Sequence, residues 1–117
     1  MGTTAGRILL TAGITANIKG YYFLREAIHS VIRNPELISS ITKRLYPYLA
    51  KHFDTTPSKV ERSMRHAIEA AWLRGTLKNI NTLLDVKVYE QSYRPSNSEF
   101  IALVATILSE NENTVVN

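Results

Sequence analysis

One stretch in the middle of the chain, Tyr46 to Gly75 (YPYLAKHFDTTPSKVERSMRHAIEAAWLRG), restricts the fold more than any other. It predicts a short helix, a tight turn and a long second helix. Pro47 suits a first turn, and Leu49, Ala50 and Phe53 give the short helix an apolar side. Asp54-Thr55-Thr56 is the turn. Thr56 is placed to cap the second helix, and Pro57 fits its first position, where a missing N–H costs nothing. Gly75 ends it, with Arg74 in the last turn favourable to the helix dipole.

The second helix divides into two faces. Val60, Met64, Ala67, Ile68, Ala71 and Trp72 recur at three- and four-residue steps and share one side. Ser58, Lys59, Arg62, Arg65, His66 and Glu69 fall on the other, with Glu61 on the border. The exposed face is therefore basic over its first turns, where a recognition helix meets base edges. This is the layout of a helix-turn-helix. Ala50 supplies the small residue usual in the first helix, whereas Asp54 stands where glycine is common. The pattern alone leaves a second reading open, an ordinary amphipathic helix whose basic face is only solvated.

A chain of 117 residues is expected to form one domain with one core. The net charge of +4 suits a polyanionic partner, although many plain domains are as basic. The absence of cysteine excludes disulfides and thiolate metal sites. No apolar run approaches the roughly 20 residues of a membrane span, and no secretory or myristoylation pattern opens the chain. The expectation is a cytoplasmic protein. His29, His52 and His66 have no partners at metal-ligand spacing. No phosphate loop, carboxylate pair or nucleophile motif stands out, so neither an enzyme nor a cofactor is expected.

The rest of the chain reads as further helices. Residues 1–6 are expected to be a flexible start, and residues 7–110 the folded domain. A short helix over Arg7–Ala12 is stopped by Gly13, and Ile14–Gly20 is a connector. Tyr21–Arg33 is a helix with Tyr21, Leu24, Ala27, Ile28, Val31 and Ile32 as its stripe. Asn34 as cap and Pro35 at the first position start another through Leu37, Ile38, Ile41 and Leu45. After Gly75, Thr76 caps a short helix bearing Leu77, Ile80, Leu83 and Leu84. Asp85–Tyr93 is loop, since a lone extended piece around Val86 and Val88 has no strand to pair with. Ser96 and Glu99 form a capping box before a last helix using Phe100, Leu103, Val104, Ile107 and Leu108. The polar tail 111–117 is expected to be disordered. The whole is all-α, with about six helices and the helix-turn-helix, 46–75, at its centre.

Four segments carry a family resemblance: NIKGYYFLREAI from Asn17, ITKRLYP from Ile41, AKHFDTTPSKVERSMRHAIEAAWLRG from Ala50 and RPSNSEFIALVA from Arg94. From about Ile8 to Leu108 the chain resembles the C-terminal DNA-binding domain of the master sporulation response regulator of endospore-forming Firmicutes, the stage 0 sporulation protein A family. The resemblance implies a sequence-specific, double-stranded DNA-binding domain of a two-component system, acting as activator or repressor on boxes similar to TGTCGAA. It departs at Thr15 and Asn17, where relatives carry Pro and His, and most of all over Asp85–Tyr93.

A helix over 57–74 would span roughly 27 Å, enough to enter a major groove and return to the core. Lysine and arginine pair with guanine O6 and N7, and a carboxylate accepts from cytosine N4. Lys59, Glu61 and Arg62 are thus the candidate base readers. Ser58, Arg65 and His66, with Thr55 from the turn, suit phosphates, which fix register rather than sequence. The SxVERxxRH match gives the family's DNA-facing roles to Ser58, Glu61, Arg62, Arg65 and His66. Lys59 stands where relatives have Arg; a point charge without the planar fork implies the same guanine preference, less sharply held. Glu61 is also spaced to pair with Arg65. Lys43, Arg44, Lys51 and Arg94 are secondary phosphate candidates, each otherwise a surface charge.

The resemblance further implies tandem self-association on adjacent boxes and contact with an RNA polymerase sigma subunit through Arg74–Val88. Family members carry a receiver domain upstream; none is expected within this sequence, either an excised fragment or a stand-alone relative, and DNA binding is expected without phosphorylation. The alternative class is a helical protein-interaction module whose basic face meets an acidic partner.

Overall fold

The computed structural model describes the backbone of residues 4–116 and the side chains of residues 4–110. Six α-helices follow in order: α1 Ala5–Thr11, α2 Lys19–Arg33, α3 Tyr46–His52, α4 Pro57–Leu73, α5 Asn79–Leu84 and α6 Asn97–Val116. Among the described residues there is no strand, and the fold is all-α.

Helix α2 is the hub. It packs against α4 on one side and α6 on another, while α3 leans on α4 and α1 closes over α2 and α5. The stripes meet in one core in which Leu24, Ile28, Leu49, Met64, Ile68, Phe100 and Ile101 are fully buried. The α2–α4 crossing depends on Gly20. A Cβ there would lie 2.5 Å from the Ser63 carbonyl oxygen and 2.7 Å from the Ala67 methyl carbon. Only a hydrogen in place of a side chain lets the two backbones approach so closely.

Several local readings need correction. Of the expected flexible start, residues 1–3 lie outside the described residues. Helix α1 begins at Ala5 rather than Arg7, because the Thr4 hydroxyl accepts the Arg7 N–H at 3.1 Å and Ala5 is buried. The expected α-helix through Leu37 and Leu45 is a 3₁₀ helix over Pro35–Ser40, then a wider π-type turn over Ile41–Leu45 that runs into α3. The Asn34 side chain makes no capping bond, and Ser39 Oγ donates back to the Glu36 carbonyl at 2.8 Å, so the backbone is drawn from regular helix. No residue of Pro35–Ser40 is fully buried, and packing supplies little to enforce the α form.

Thr76 does not cap α5. Its hydroxyl donates instead to the carbonyls of Ala12 and Ala71, and α5 starts only at Asn79. Arg74, expected in the last turn of α4, is the residue just past it, and its guanidinium donates to the Gly13 carbonyl at 2.9 Å. Gly75 ends the helix as expected, with φ of 76°.

Asp85–Tyr93 is loop, and Asn81 organises it. Its Oδ1 accepts from the N–H groups of Val88 and Tyr89, and its Nδ2 donates to the Tyr89 carbonyl at 2.8 Å. The capping box of α6 forms, with Ser96 N–H donating to Glu99 at 2.9 Å and Glu99 N–H to Ser96 Oγ at 3.2 Å. The buried side of α6 includes Ile101 and Ala105, while Leu103 and Ile107 are half-buried. The tail expected to be disordered from Asn111 continues α6 in backbone to Val116, with no Gly or Pro to stop it; its side chains lie outside the described residues.

Candidate nucleic-acid interface

The site is built on the turn between α3 and α4. Phe53 ends α3, and Asp54 takes the left-handed conformation with φ of 53°, which glycine would hold more cheaply. Thr55 N–H then returns to the Ala50 carbonyl at 2.8 Å and closes the turn. Thr56 caps α4 by accepting the Lys59 N–H on its hydroxyl at 3.2 Å, and Pro57 occupies the first turn. Val60, Met64, Ala67, Ile68 and Ala71 turn inward and are buried. Trp72 sits at the core edge, half-buried, with its indole N–H on the Gln91 carbonyl at 3.0 Å.

That packing leaves Ser58, Lys59, Arg62, Arg65 and His66 exposed on one side of α4, with Glu61 and Thr55 half-buried beside them. Glu61 accepts from Arg65 Nε at 2.9 Å, an ion pair across one turn. The bond to Glu61 and its charge hold the Arg65 guanidinium above its ordinary pKa. Among the described residues, neither Lys59 nor Arg62 has a carboxylate at ion-pair distance. Lys43 and Arg44, on the π-type turn, and Lys51, on α3, are also exposed and without such a partner. Arg94 differs, because its guanidinium is bonded to Glu69 on α4.

A groove of about 340 Å³ separates the first half of α4 from the start of α6, lined by Tyr46, Glu61, Arg65, Tyr93, Arg94 and Asn97 among others. At its rim the Tyr93 hydroxyl donates to the Glu99 carboxylate at 2.8 Å. The Ser96 N–H, together with that hydroxyl, holds Glu99 below the usual carboxylate range. At its floor the Asn97 amide bridges Tyr46 and Glu61. The residue types predicted to read and to position DNA thus share one exposed face. The reading of the sequence missed Asn97 and Tyr46, which carry no helical periodicity signal for this contact.

The remaining histidines lie apart. His29 is half-buried on α2, and exposed His52 stacks on Tyr48 and meets Phe53 edge-on. Among the described residues no three His, Asp or Glu side chains are grouped to hold a metal ion, and no helix is long and apolar enough to cross a membrane.

A capped, basic helix projected from a tight turn fits the helix-turn-helix class of DNA-binding regulators. The family model described as Sporulation initiation factor Spo0A C terminal matches residues 6–108, and the chain belongs to that family. It is thus a DNA-binding domain of a sporulation transcription regulator, in a family of regulatory rather than enzymatic domains.

Proposed function

We propose that the chain controls sporulation genes by reading a TGTCGAA-like box, with the first half of α4 in the major groove. Lys59, Glu61 and Arg62 take the base edges, and Thr55, Ser58, Arg65 and His66 take phosphates. Lys43, Arg44 and Lys51 extend the phosphate track along the π-type turn and α3. The observation that carries this reading is the exposed charge of Lys59 and Arg62, without an ion-pair partner among the described residues, on a helix whose opposite face is buried. Cations without a protein partner are those free to displace counterions from DNA. Arg94 contributes less than Lys43, Arg44 and Lys51, since Glu69 already holds it.

Two copies on adjacent boxes would gain affinity through effective concentration. A sigma subunit of RNA polymerase would meet the far end of α4 and the following loop, where Leu73 and Val88 expose apolar surface. The protein acts in the cytoplasm on chromosomal promoters. The same apolar surface favours the second reading, a protein-interaction module that does not read sequence.

Fluorescence anisotropy of the chain on a box duplex and on a scrambled duplex, at several salt concentrations, separates the two. Preference for the box at near-physiological salt supports base reading. Equal binding that collapses with salt leaves phosphate contact alone, and no binding leaves the interaction module.

A further inference from the structure

Asn97 is the first residue of α6, yet its side chain serves α4. It is 8% exposed, and with Ser30 one of two buried polar or charged residues among those described. Its Nδ2 donates at 3.1 Å to the Glu61 carbonyl oxygen and at 3.0 Å to the Tyr46 hydroxyl oxygen. A carbonyl oxygen can only accept, so the amide nitrogen must be the atom that faces it. One side chain therefore ties the start of α6, the start of α3 and the first half of α4. On α4 it holds the backbone of the residue whose carboxylate pairs with Arg65 on the exposed face.

The wider geometry makes this tie directional. Gly20 sets how closely α4 lies on α2 at Ser63, two residues further along. The core contacts of Val60 and Met64 are apolar and non-directional, so they do not by themselves define one rotation of α4. A hydrogen bond to the Glu61 carbonyl does, because its strength falls steeply with angle. A slide of an ångström would carry Lys59, Glu61 and Arg62 away from any fixed set of base edges. Phosphate contacts carry no sequence information, and those from the long side chains of Lys43, Arg44, Lys51 and Arg65 would tolerate it.

We infer that Asn97 is a positioning residue for sequence reading, fixing the height and rotation of α4 through its bond to the Glu61 carbonyl while touching no DNA itself. This rests on the proposal that α4 is the recognition helix. The bond to Tyr46 is the lesser part, since a phenol on α3 does not bear on α4 directly.

Two near-isosteric variants separate the two bonds. Asn97→Asp removes both amide donors and sets a carboxylate against the Glu61 carbonyl, although the Tyr46 hydroxyl can still donate to it. A carboxylate in the first turn also suits the helix dipole, which favours folding. Tyr46→Phe does the converse, removing the phenol and leaving the Glu61 bond. Box and scrambled duplex affinities are measured for both variants and the parent by anisotropy across salt, well below the melting temperature of each. Asn97→Asp is expected to lose about tenfold of the box preference, beyond the modest fall in affinity for both duplexes that its added negative charge brings. Tyr46→Phe is expected to keep most of the preference. Since Asn97→Asp can fail to fold, Asn97→Ser, which keeps a shorter donor, is measured beside it and should keep an intermediate preference.

If the parent prefers the box and the folded Asn97 variants prefer it equally, the inference is overturned and α4 as recognition helix stands. If the box and scrambled affinities of Asn97→Asp fall by the same factor, so that the preference is kept, the inference is overturned and the fall reports the added charge alone. If the parent shows no preference, the reading of α4 fails and the inference falls with it.

Discussion

The two halves of α4 differ in where their polar groups go. In the first half, Ser58, Lys59, Arg62 and His66 turn to solvent, and an ion pair, Glu61–Arg65, lies within the same face. In the second half the polar groups are bonded to the rest of the chain. Glu69 holds Arg94, Trp72 and Gln91 exchange two hydrogen bonds, and Arg74, just past the helix, reaches the Gly13 carbonyl. One helix with a single apolar stripe thus has a presented end and an anchored end. The difference teaches that amphipathic pattern locates a recognition helix, whereas the bonding of its polar side separates what can meet a ligand from what holds the fold.

The sharpest way to break this division is at its midpoint. Gly20→Ala forces a methyl carbon onto the Ser63 carbonyl, and overpacking of this kind should cost about 3 kcal/mol. Urea unfolding measures it, and a loss below about 0.5 kcal/mol would show that α2 and α4 can separate freely. At the presented end, Arg62→Ala should weaken box binding about tenfold while shifting the unfolding free energy by less than about 0.5 kcal/mol. At the anchored end, Gln91→Ala removes the bond from Gln91 Nε2 to the Trp72 carbonyl. It should cost about 1 kcal/mol of stability and leave box preference unchanged. A Gln91 variant that lost preference at full stability would erase the distinction between the halves.

The smallest effect concerns the anchoring of α3 on α2. Burial alone would raise the pKa of Glu26, but hydrogen bonds from Arg33, Tyr48 and Ser30 and the charge of Arg33 outweigh it and hold Glu26 below 4.5. A carboxylate with a depressed folded pKa stabilises the fold fully above its unfolded pKa, and that contribution is lost as pH falls through the folded value. The urea midpoint of Glu26→Gln should therefore lie below that of the parent at about pH 7, and the gap should narrow at about pH 3. A gap that widened on acidification would contradict the sign.

Much of this arrangement was legible in the sequence, for reasons that differ by element. The caps of α4 and α6 use bonds of three residues' span, Thr56 to Lys59 and Ser96 to Glu99, so local spacing suffices to find them. Asp54 could be read as a turn residue, and its left-handed backbone accounts for glycine being common there. The 3₁₀ and π-type backbone over Pro35–Leu45 was not legible. Leu37, Ile38 and Ile41 have helical spacing, and weak burial rather than pattern decides that segment. Thr76 looked like a cap because nothing local reveals that the Ala12 carbonyl lies beside it. Of the candidate site, the exposed face of α4 followed from periodicity, while the pairing of Arg94 with Glu69 and the reach of Asn97 to Glu61 join residues 25 and 36 positions apart. Contacts at that separation leave no periodic trace.

The most direct test of the division within α4 is a two-dimensional amide spectrum of the labelled chain, titrated with a box duplex. The largest shifts should fall on Thr55, Ser58, Lys59, Glu61, Arg62 and Arg65, with Glu69–Arg74 and the loop around Gln91 nearly still. Shifts concentrated on Leu73–Tyr93, with the first half of α4 unmoved, would contradict it.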